Sequence, residues 1–218
     1  MIVSFSGIDS AGKSTQIDLL YQYLIENKIK VKKIWSKARG TPGVVFLKEL
    51  VRRDKNMDSK EKSEYRNAVY KNPQKKKLLF VASMIDLCWY WGIYYRMLRL
   101  TNKVLICDRY IWDTYVEINS DFKGINIDRS FWWKMVKLLT PRPTISFVFV
   151  IPAEESFSRD CQKNAAGIEN IETKQFKIDK YMECVSNNCW TDVMDGMESI
   201  ETLKKMVTLR VNSRLKRR

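Results

Sequence analysis

The residues with the clearest capacity for chemistry are the eight from Gly7 to Ser14, which read G-x-x-x-x-G-K-S and directly follow the apolar run Ile2–Phe5. In such a loop, backbone N–H groups close around phosphate oxygens, the lysine reaches the outer phosphates and the serine hydroxyl can ligate Mg²⁺. A glycine turn beside a surface lysine is the alternative interpretation. We predict a nucleotide-binding phosphate loop, with contacts from Gly7, Ser10, Ala11, Gly12, Lys13, Ser14 and Thr15.

A second chemically important pair, Asp108 and Arg109, follows the apolar run Val104–Cys107. Because the carboxyl ends of parallel strands meet at one edge of a sheet, this pair is expected beside the phosphate loop. There the carboxylate could hold Mg²⁺ or its water, and the arginine could bind a second phosphate. A structural ion pair at the end of a strand is the alternative.

The composition narrows the possible chemistry. The chain has 218 residues, no histidine, and five cysteines without a C-x-x-C pair, which argues against zinc fingers and Cys–His nucleophiles. Phosphoryl transfer suits such a chain, because positioning and charge neutralisation do most of that catalysis. The first residues enter a strand without a signal-like segment, so reduced thiols in the cytoplasm are expected.

The formal net charge of +14 indicates anionic partners. Basic residues concentrate at 28–39, at 71–77 and in a predicted basic tail at 210–218. A nucleic-acid or anionic membrane surface is one interpretation. We favour a solvated basic surface that also attracts phosphates, because no recognisable nucleic-acid-binding module accompanies the charge.

Strand and helix patterns alternate along the chain. Strands are predicted at 2–6, 31–35, 104–107 and 144–150, with a short one near 192–194, and helices at 14–27, 78–100, 128–139, 154–163, 171–189 and 199–210. This alternation predicts an α/β fold, a doubly wound five-stranded parallel sheet flanked by helices, in a single domain over 1–218. The charged stretch 52–77 is expected to be a mobile helical excursion over the site.

The run Leu78–Leu100 is apolar enough to raise the question of a transmembrane helix. Asp86, Arg96 and Arg99 interrupt it, so a buried helix is the preferred interpretation and no transmembrane segment is expected. Its aromatic residues point in several directions around a helix. Some of them are expected to face a cavity, a loop or the second subunit of a homodimer.

Several motifs together resemble the thymidylate kinase family. Ser6–Gln16 resembles its loop G-[ILV]-[DE]-x-A-G-K-[ST]-T-Q, and Asp108-Arg109-Tyr110 resembles its D-R-[YFH] step. Leu78–Ser83 is similar to its L-L-F-x-A helix, 151–159 to its approach to the LID, and 195–201 to its last strand and helix. The resemblance covers nearly the whole chain in the expected order.

The resemblance implies a P-loop NTPase-type fold with a LID segment at about 160–177. It also implies a nucleoside monophosphate kinase that transfers the γ-phosphoryl group of ATP to a (deoxy)nucleoside monophosphate, most naturally dTMP. ATP and Mg²⁺ would then be bound by Lys13 and Ser14, with Asp108 as the second metal ligand. The implied acceptor contacts are Asp9 for the sugar hydroxyl, Phe80 for stacking on the base, Arg109 for the phosphate and Tyr110 beside it. Core packing is the alternative role for Phe80.

The sequence departs from the family where the acceptor and the transition state would be bound. Met84 stands where the family has an arginine that hydrogen-bonds the thymine edge, and a thioether cannot donate to a carbonyl. Arg39 is the expected phosphate contact after the second strand. Ser10 is neutral and the LID holds lysines but no arginine, so Lys163 is expected to supply the transition-state cation. Asp113, where the family tends to have serine, adds a negative charge near the acceptor.

Two other functions are compatible with the sequence. A thymidylate-kinase-like enzyme could phosphorylate a nucleoside, a sugar or a lipid-linked alcohol, with Asp9 or Asp113 as the base that an alcohol needs. A non-catalytic protein could instead use the phosphate loop as a switch and bind nucleic acid or membrane through its basic surface.

Overall fold

A five-stranded sheet forms the framework of the protein. The structure, a computed structural model, describes residues 1–35, 72–122, 124–164 and 168–216. The strands are β1 (Ile2–Gly7), β2 (Val31–Trp35), β3 (Val104–Asp108), β4 (Ile145–Val150) and β5 (Asp192–Asp195). They lie in the order β2-β3-β1-β4-β5, and each neighbouring pair is parallel. The predicted α/β fold with a doubly wound parallel sheet is confirmed.

Helices alternate with these strands along the described chain. They are α1 (Lys13–Glu26), α2 (Pro73–Trp89), α3 (Tyr95–Arg99), α4 (Ile111–Asp121), α5 (Phe131–Leu139), α6 (Ala153–Gln162), α7 (Ile171–Ser186) and α8 (Ile200–Leu215). A π-helical turn, Tyr90–Tyr94, joins α2 to α3, so that residues 73–99 run as one long helix.

The central strands form where continuous apolar runs can be covered on both faces. Every residue of β1 is buried, and the ring of Phe5 lies 5.2 Å from that of Phe147 on β4. Leu20 and Leu24 of α1 belong to the same buried cluster, together with Val207 of α8. Such uninterrupted apolar strands are typical of parallel sheets with helical layers.

The chain divides into two compact units. The first consists of Met1–Ser36, Leu98–Ser120 and Arg142–Arg218, and it contains the whole sheet with α1, α6, α7, α8 and most of α4. The second consists of Lys37–Met97 and Asp121–Pro141, and in it α2 packs against α5. A single domain over 1–218 stays a prediction.

Helix α4 is an element that the sequence pattern did not reveal. Its residues include Ile111, Val116 and Ile118, which favour strands when judged by local propensity, and all three are buried. Asp113, the third residue of the helix, accepts a hydrogen bond from the backbone N–H of Tyr110 at 2.9 Å, as the acidic residue of a capping box does. Tertiary packing and this cap therefore override the local preference.

Two predicted helix boundaries also shift. Helix α2 begins at Pro73, where proline is well tolerated, and the Asn72 side chain accepts from the Gln74 N–H at 3.1 Å. Helix α8 continues to Leu215, so the first six residues of the predicted basic tail are helical. Residues 36–71, which include Arg39 and most of the predicted excursion, lie outside the described residues.

The long helix buries one side and exposes the other. The buried residues follow one another at spacings of three or four: Phe80, Met84, Leu87, Trp91 and Tyr95. We call the opposite, exposed side the α2 stripe; it consists of Leu78, Ile85, Trp89, Ile93 and Met97. The sequence predicted a buried helix, whereas the structure buries one side.

The same helix satisfies a length-and-composition test for a membrane span. Over Lys76–Arg99 an 18-residue window has a mean hydropathy of 1.3, and 33% of that window is buried. This is a weak indication, because core helices of soluble proteins pass the same test.

Candidate active site

The loop after β1 has the backbone geometry of a phosphate-binding loop. Gly7 adopts φ 131°, and a Cβ added there would lie 2.2 Å from the carbonyl oxygen of Phe149, so only glycine fits. Gly12 has φ 88°, and no described atom lies within 4 Å of a Cβ built on it. Among the described residues no side chain caps α1, so its first N–H groups are available to an anion.

Lys13 is buried beside this loop, and its Nζ donates to the carbonyl oxygen of Ile8 at 2.5 Å. Burial, with the positive charge of Arg109, lowers the pKa of Lys13 from 10.5 to about 8. The carboxylates of Asp9, Asp113 and Asp108 act in the opposite direction. A phosphate placed against Lys13 would therefore raise this pKa again.

Asp108 and Arg109 lie beside the loop, as the strand order requires. β3 is a neighbour of β1, and Asp108 is in register with Phe5. Arg109 adopts φ 72°, which is uncommon for a residue with a side chain. Its guanidinium is ion-paired with Asp9, and its Nη1 lies 3.8 Å from Oδ1 of Asp113. The loop lysine and the strand-end arginine thus belong to one group of charges.

Asp113 joins three parts of the site. Its Oδ1 accepts from the Gly7 N–H at 3.1 Å and from the Tyr181 hydroxyl at 2.8 Å. Its Oδ2 accepts from the Ser6 hydroxyl at 2.6 Å and from the Tyr110 N–H at 2.9 Å. Burial and the charge of Asp113 raise the pKa of Tyr181 well above its ordinary value, so the phenol stays a donor. Asp113 therefore ties the ends of β1 and β3 to α7.

One face of α6 lies against the phosphate loop. The Ser156 hydroxyl donates to the carbonyl oxygen of Asp9 at 2.8 Å, and the Ser10 hydroxyl donates to Oδ1 of Asp160 at 2.5 Å. Lys163, directly after the helix, donates from Nζ to Oγ of Ser10 at 3.2 Å. The structure thus brings Lys163 to the neutral loop position, while its catalytic role stays a prediction.

The other two lysines of the predicted LID lie on α7 and are buried in ion pairs. Lys174 contacts Asp160 at 2.5 Å. Lys177 contacts Glu169 at 2.6 Å and Glu117 at 3.5 Å. Their ammonium groups are engaged inside the protein, which leaves Lys163 as the exposed lysine of this set.

The remaining predicted acceptor residues lie elsewhere in the chain. Phe80 and Met84 are on the buried side of α2, in the second unit, and Phe80 packs edge-on against Phe122 at 5.5 Å. Arg39 lies outside the described residues. The predicted residues that the structure brings together in the first unit are Asp9, Ser10, Lys13, Asp108, Arg109, Tyr110, Asp113 and Lys163.

Comparison with known proteins decides the family. A family model described as thymidylate kinase matches residues 5–207, nearly the whole chain. The chain belongs to the thymidylate kinase family. It is accordingly an ATP-dependent phosphotransferase, as the resemblance of its motifs implied.

Curated relatives extend over most of the chain. A probable thymidylate kinase of Methanosphaera stadtmanae is 27% identical over 176 residues, which cover 81% of this chain and 77% of the relative. A probable thymidylate kinase of Methanobrevibacter smithii is 26% identical over 221 residues, covering 95% and 94%. A thymidylate kinase of Plasmodium falciparum is 22% identical over 201 residues, covering 92% and 84%.

Asp108 and Ser14 are the residues that would offer oxygen ligands to the metal ion expected for an ATP-dependent kinase. Burial raises the pKa of Asp108 above its ordinary value, and the charges of Lys13 and Arg109 oppose that shift. Ser14 is exposed at the start of α1. The described part of the chain contains no group of three or more acidic or cysteine side chains that could hold a metal. Mg²⁺ commonly takes one or two protein ligands and completes its shell with substrate phosphates and water.

Sequence reasoning missed three residues that support the candidate site. Ser156, Asp160 and Tyr181 contact the loop or its supports, and none of them was a candidate. Ser156 lies 147 residues from its partner Asp9, and Asp160 lies 150 residues from Ser10. The one local signal was the spacing of Ser156 and Asp160, which puts both on one face of a helix.

Proposed function

We propose that this thymidylate kinase family member phosphorylates dTMP with ATP and Mg²⁺, giving the diphosphate. The observation that supports the proposal is that Lys13, in the phosphate loop, donates to Ile8, while Arg109, at the neighbouring strand end, pairs with the adjacent Asp9, both inside one compact unit. Two polyanions repel each other, so a kinase that joins them needs cations on both sides of the reacting phosphoryl group.

The charged residues divide the work between the two substrates. Lys13 binds the outer phosphates of ATP, and Arg109 binds the phosphate of the acceptor once its contact with Asp9 is exchanged. Asp9 then binds the sugar hydroxyl, and Lys163, at Ser10, supplies the cation for the developing charge. Ser14 and Asp108 would hold Mg²⁺, which would neutralise phosphate charge when bound.

The proposal needs no strong general base, because the acceptor phosphate is already ionised. The lack of histidine agrees with this. In the alternative reaction, an alcohol acceptor would need Asp9 or Asp113 as the base. Both oxygens of Asp113 already accept two hydrogen bonds each, which argues against that role. Asp9, half exposed and paired with Arg109, is the remaining candidate.

We expect the base-binding part of the proposed site to discriminate less between substrates than the phosphate-binding part. In the proposal Phe80 stacks on the base and Met84 provides an apolar contact, which requires that substrate binding uncover both side chains, since both are buried here. Arg39 assists the acceptor phosphate. A site that hydrogen-bonds its substrate can discriminate by about 10⁴ or more, whereas an apolar wall discriminates far less. We therefore expect other pyrimidine monophosphates to be used as well as dTMP.

We also propose that the protein is a cytoplasmic homodimer. None of the five cysteines, all of which are described, forms a disulfide, which suits a reducing compartment. The α2 stripe is an apolar surface on a long helix, and helix packing about a two-fold axis would cover it with the same surface of a second copy.

An ATP-consumption assay over the common ribo- and deoxynucleoside monophosphates tests the substrate. We expect the highest kcat/KM with dTMP or a pyrimidine relative, and loss of turnover in Lys13→Ala. Turnover of unphosphorylated nucleosides with none of monophosphates would select the alcohol kinase instead. A preference for dGMP or dAMP over dTMP would remove the pyrimidine assignment.

A further inference from the structure

We infer that Lys174 is a positioning residue that holds Asp9 and Ser10 of the phosphate loop through two intermediates, Ser156 and Asp160. The inference goes beyond the proposed function, since it assigns a role to a buried lysine of α7, but it rests on the proposed phosphoryl transfer. Lys174 touches neither substrate site directly.

The surroundings of Lys174 are unusual for a lysine. The residue is only 1% exposed, and its Nζ donates to Oδ2 of Asp160 at 2.5 Å and to Oγ of Ser156 at 2.9 Å. Burying an ammonium is unfavourable unless charge and hydrogen bonds compensate. A carboxylate and a hydroxyl do so here, and both belong to α6.

Each of the two partners of Lys174 also forms a hydrogen bond with the phosphate loop. Asp160 uses Oδ2 for Lys174 and Oδ1 for the Ser10 hydroxyl, at 2.5 Å. Ser156 accepts from Lys174 and donates its own proton to the carbonyl oxygen of Asp9, at 2.8 Å. The ammonium therefore sets the direction of the Ser156 hydrogen bond, because a hydroxyl that accepts from Lys174 donates its own proton to Asp9, and it holds the Asp160 carboxylate in place to accept from Ser10.

The contacts reach residues whose position matters for phosphoryl transfer. Ser10 adopts φ 59°, a conformation that is unfavourable without glycine and needs support from its surroundings. Its Oγ donates to Asp160 and accepts from Nζ of Lys163. Lys174 thus helps to set the place of the proposed transition-state cation, where small displacements reduce rate strongly.

The chain provides a matched control on the same helix. Lys177 lies one turn after Lys174, is buried as well, and pairs with Glu117 and Glu169. Among the described residues, its hydrogen bonds go to these two carboxylates and to no atom of the phosphate loop. Lys174→Met and Lys177→Met each remove a buried cation from α7 and leave carboxylates behind, so both are expected to lower the melting temperature. Only the first should disturb the loop.

The test compares these two variants by steady-state kinetics and by amide hydrogen exchange of the peptide spanning 8–12. We expect Lys174→Met to lower kcat on the order of tenfold to a hundredfold, with KM for ATP unchanged within error, and to speed exchange in the peptide. Lys177→Met should keep wild-type exchange there; it also leaves Glu117 unpaired, and Glu117 acts on Arg109, so exchange and not kcat is the deciding comparison for this control. Equal speeding of exchange in the two variants, or unchanged exchange in Lys174→Met, would overturn the inference.

Two further variants keep the test decisive. Ser156→Ala removes the hydrogen bonds that link Lys174 to Asp9, with little change in side-chain volume. It replaces Lys174→Met in the test if that variant does not fold, and it should speed exchange at Asp9 and Ser10. In a Ser10→Ala background, Lys174→Met should lower kcat less than it does in the wild type. If wild-type protein fails to phosphorylate any monophosphate, the proposed function is wrong, while the exchange comparison still decides the inference.

Discussion

At the scale of single residues, the site keeps its cations in internal contacts. The ammonium of Lys13 donates to the carbonyl oxygen of Ile8, and the guanidinium of Arg109 is paired with Asp9. Binding of two phosphorylated substrates therefore means an exchange of partners. Substrate affinity then depends on pH wherever the exchange changes the pKa of a group.

We predict that ATP binding above about pH 8 takes up a proton at Lys13. Burial lowers the pKa of this lysine to about 8 in the unliganded protein, whereas phosphate oxygens favour the charged form. The ATP dissociation constant should therefore rise with pH above about 8, approaching about tenfold per pH unit. Calorimetry in two buffers of different ionisation enthalpy measures the proton uptake directly.

The control for this prediction is Lys13→Ala, which should bind ATP more weakly and without the uptake. The sign for stability follows from the same pKa. Between about 8 and 10.5 the unfolded chain holds a proton on Lys13 that the folded chain has lost, so the contribution of Lys13 to unfolding free energy rises with pH there. Identical proton uptake in wild type and variant would contradict the assignment.

We predict that Asp113→Ser destabilises the protein by about 1–3 kcal/mol, because a serine cannot accept all the hydrogen bonds that buried donors now make to Asp113. It should also raise the KM for the acceptor, since the donors include the N–H of Tyr110, directly after Arg109. Urea unfolding and steady-state kinetics measure the two effects.

The shape control for Asp113 is Asp113→Asn. Each carboxylate oxygen accepts from two donors, so an amide NH₂ would necessarily face donors. We expect Asp113→Asn to be no more stable than Asp113→Ser, although its shape is conserved. If Asp113→Asn were as stable as the wild type, neither the negative charge of Asp113 nor its capacity to accept four hydrogen bonds would be what stabilises the protein.

At the scale of elements, the long helix is divided into a buried and an exposed side. Its exposed residues recur every four positions at Ile85, Trp89, Ile93 and Met97, so they form a row along the helix. The other side of the helix packs against α5 inside the second unit, and an apolar row of this kind on the exposed side suits self-association better than exposure to water.

We predict that Ile93→Glu converts the proposed homodimer to a monomer, because a charge in the α2 stripe would be buried without a partner. Light scattering after size-exclusion chromatography gives the mass of each form. Leu209→Glu, at an exposed position of α8 in the first unit, is the matched control and should leave the mass unchanged. A monomeric wild type, or dissociation by Leu209→Glu alone, would contradict the dimer surface.

At the scale of the whole molecule, the net charge of +14 bears on the encounter with anionic substrates. A positive field raises the association rate of anions and is screened by salt, with a Debye length of about 10 Å at 0.1 M. We predict that added potassium chloride lowers kcat/KM for both substrates and leaves kcat nearly unchanged. Initial rates at limiting and saturating substrate separate the two, and a fall in kcat alone would contradict steering.

The sequence sufficed wherever the information was contiguous. The loop Gly7–Ser14, the step Asp108-Arg109 and the five strands are short segments whose residue types suit one backbone geometry. The same approach failed for α4, since the strand-favouring residues of Ile111–Asp121 form a helix under the control of a cap and of burial. Local propensity is a weaker influence than tertiary packing there.

By itself, the sequence determined the phosphate loop, the parallel sheet and the membership in the thymidylate kinase family, because each depends on residues that are neighbours along the chain. Only the tertiary structure decided what Asp113 and Lys174 do. Asp113 meets Ser6 across 107 residues, and Lys174 acts on the loop through side chains of another helix. Their influence comes from burial and from partners that folding brings together, and neither is present in a linear pattern.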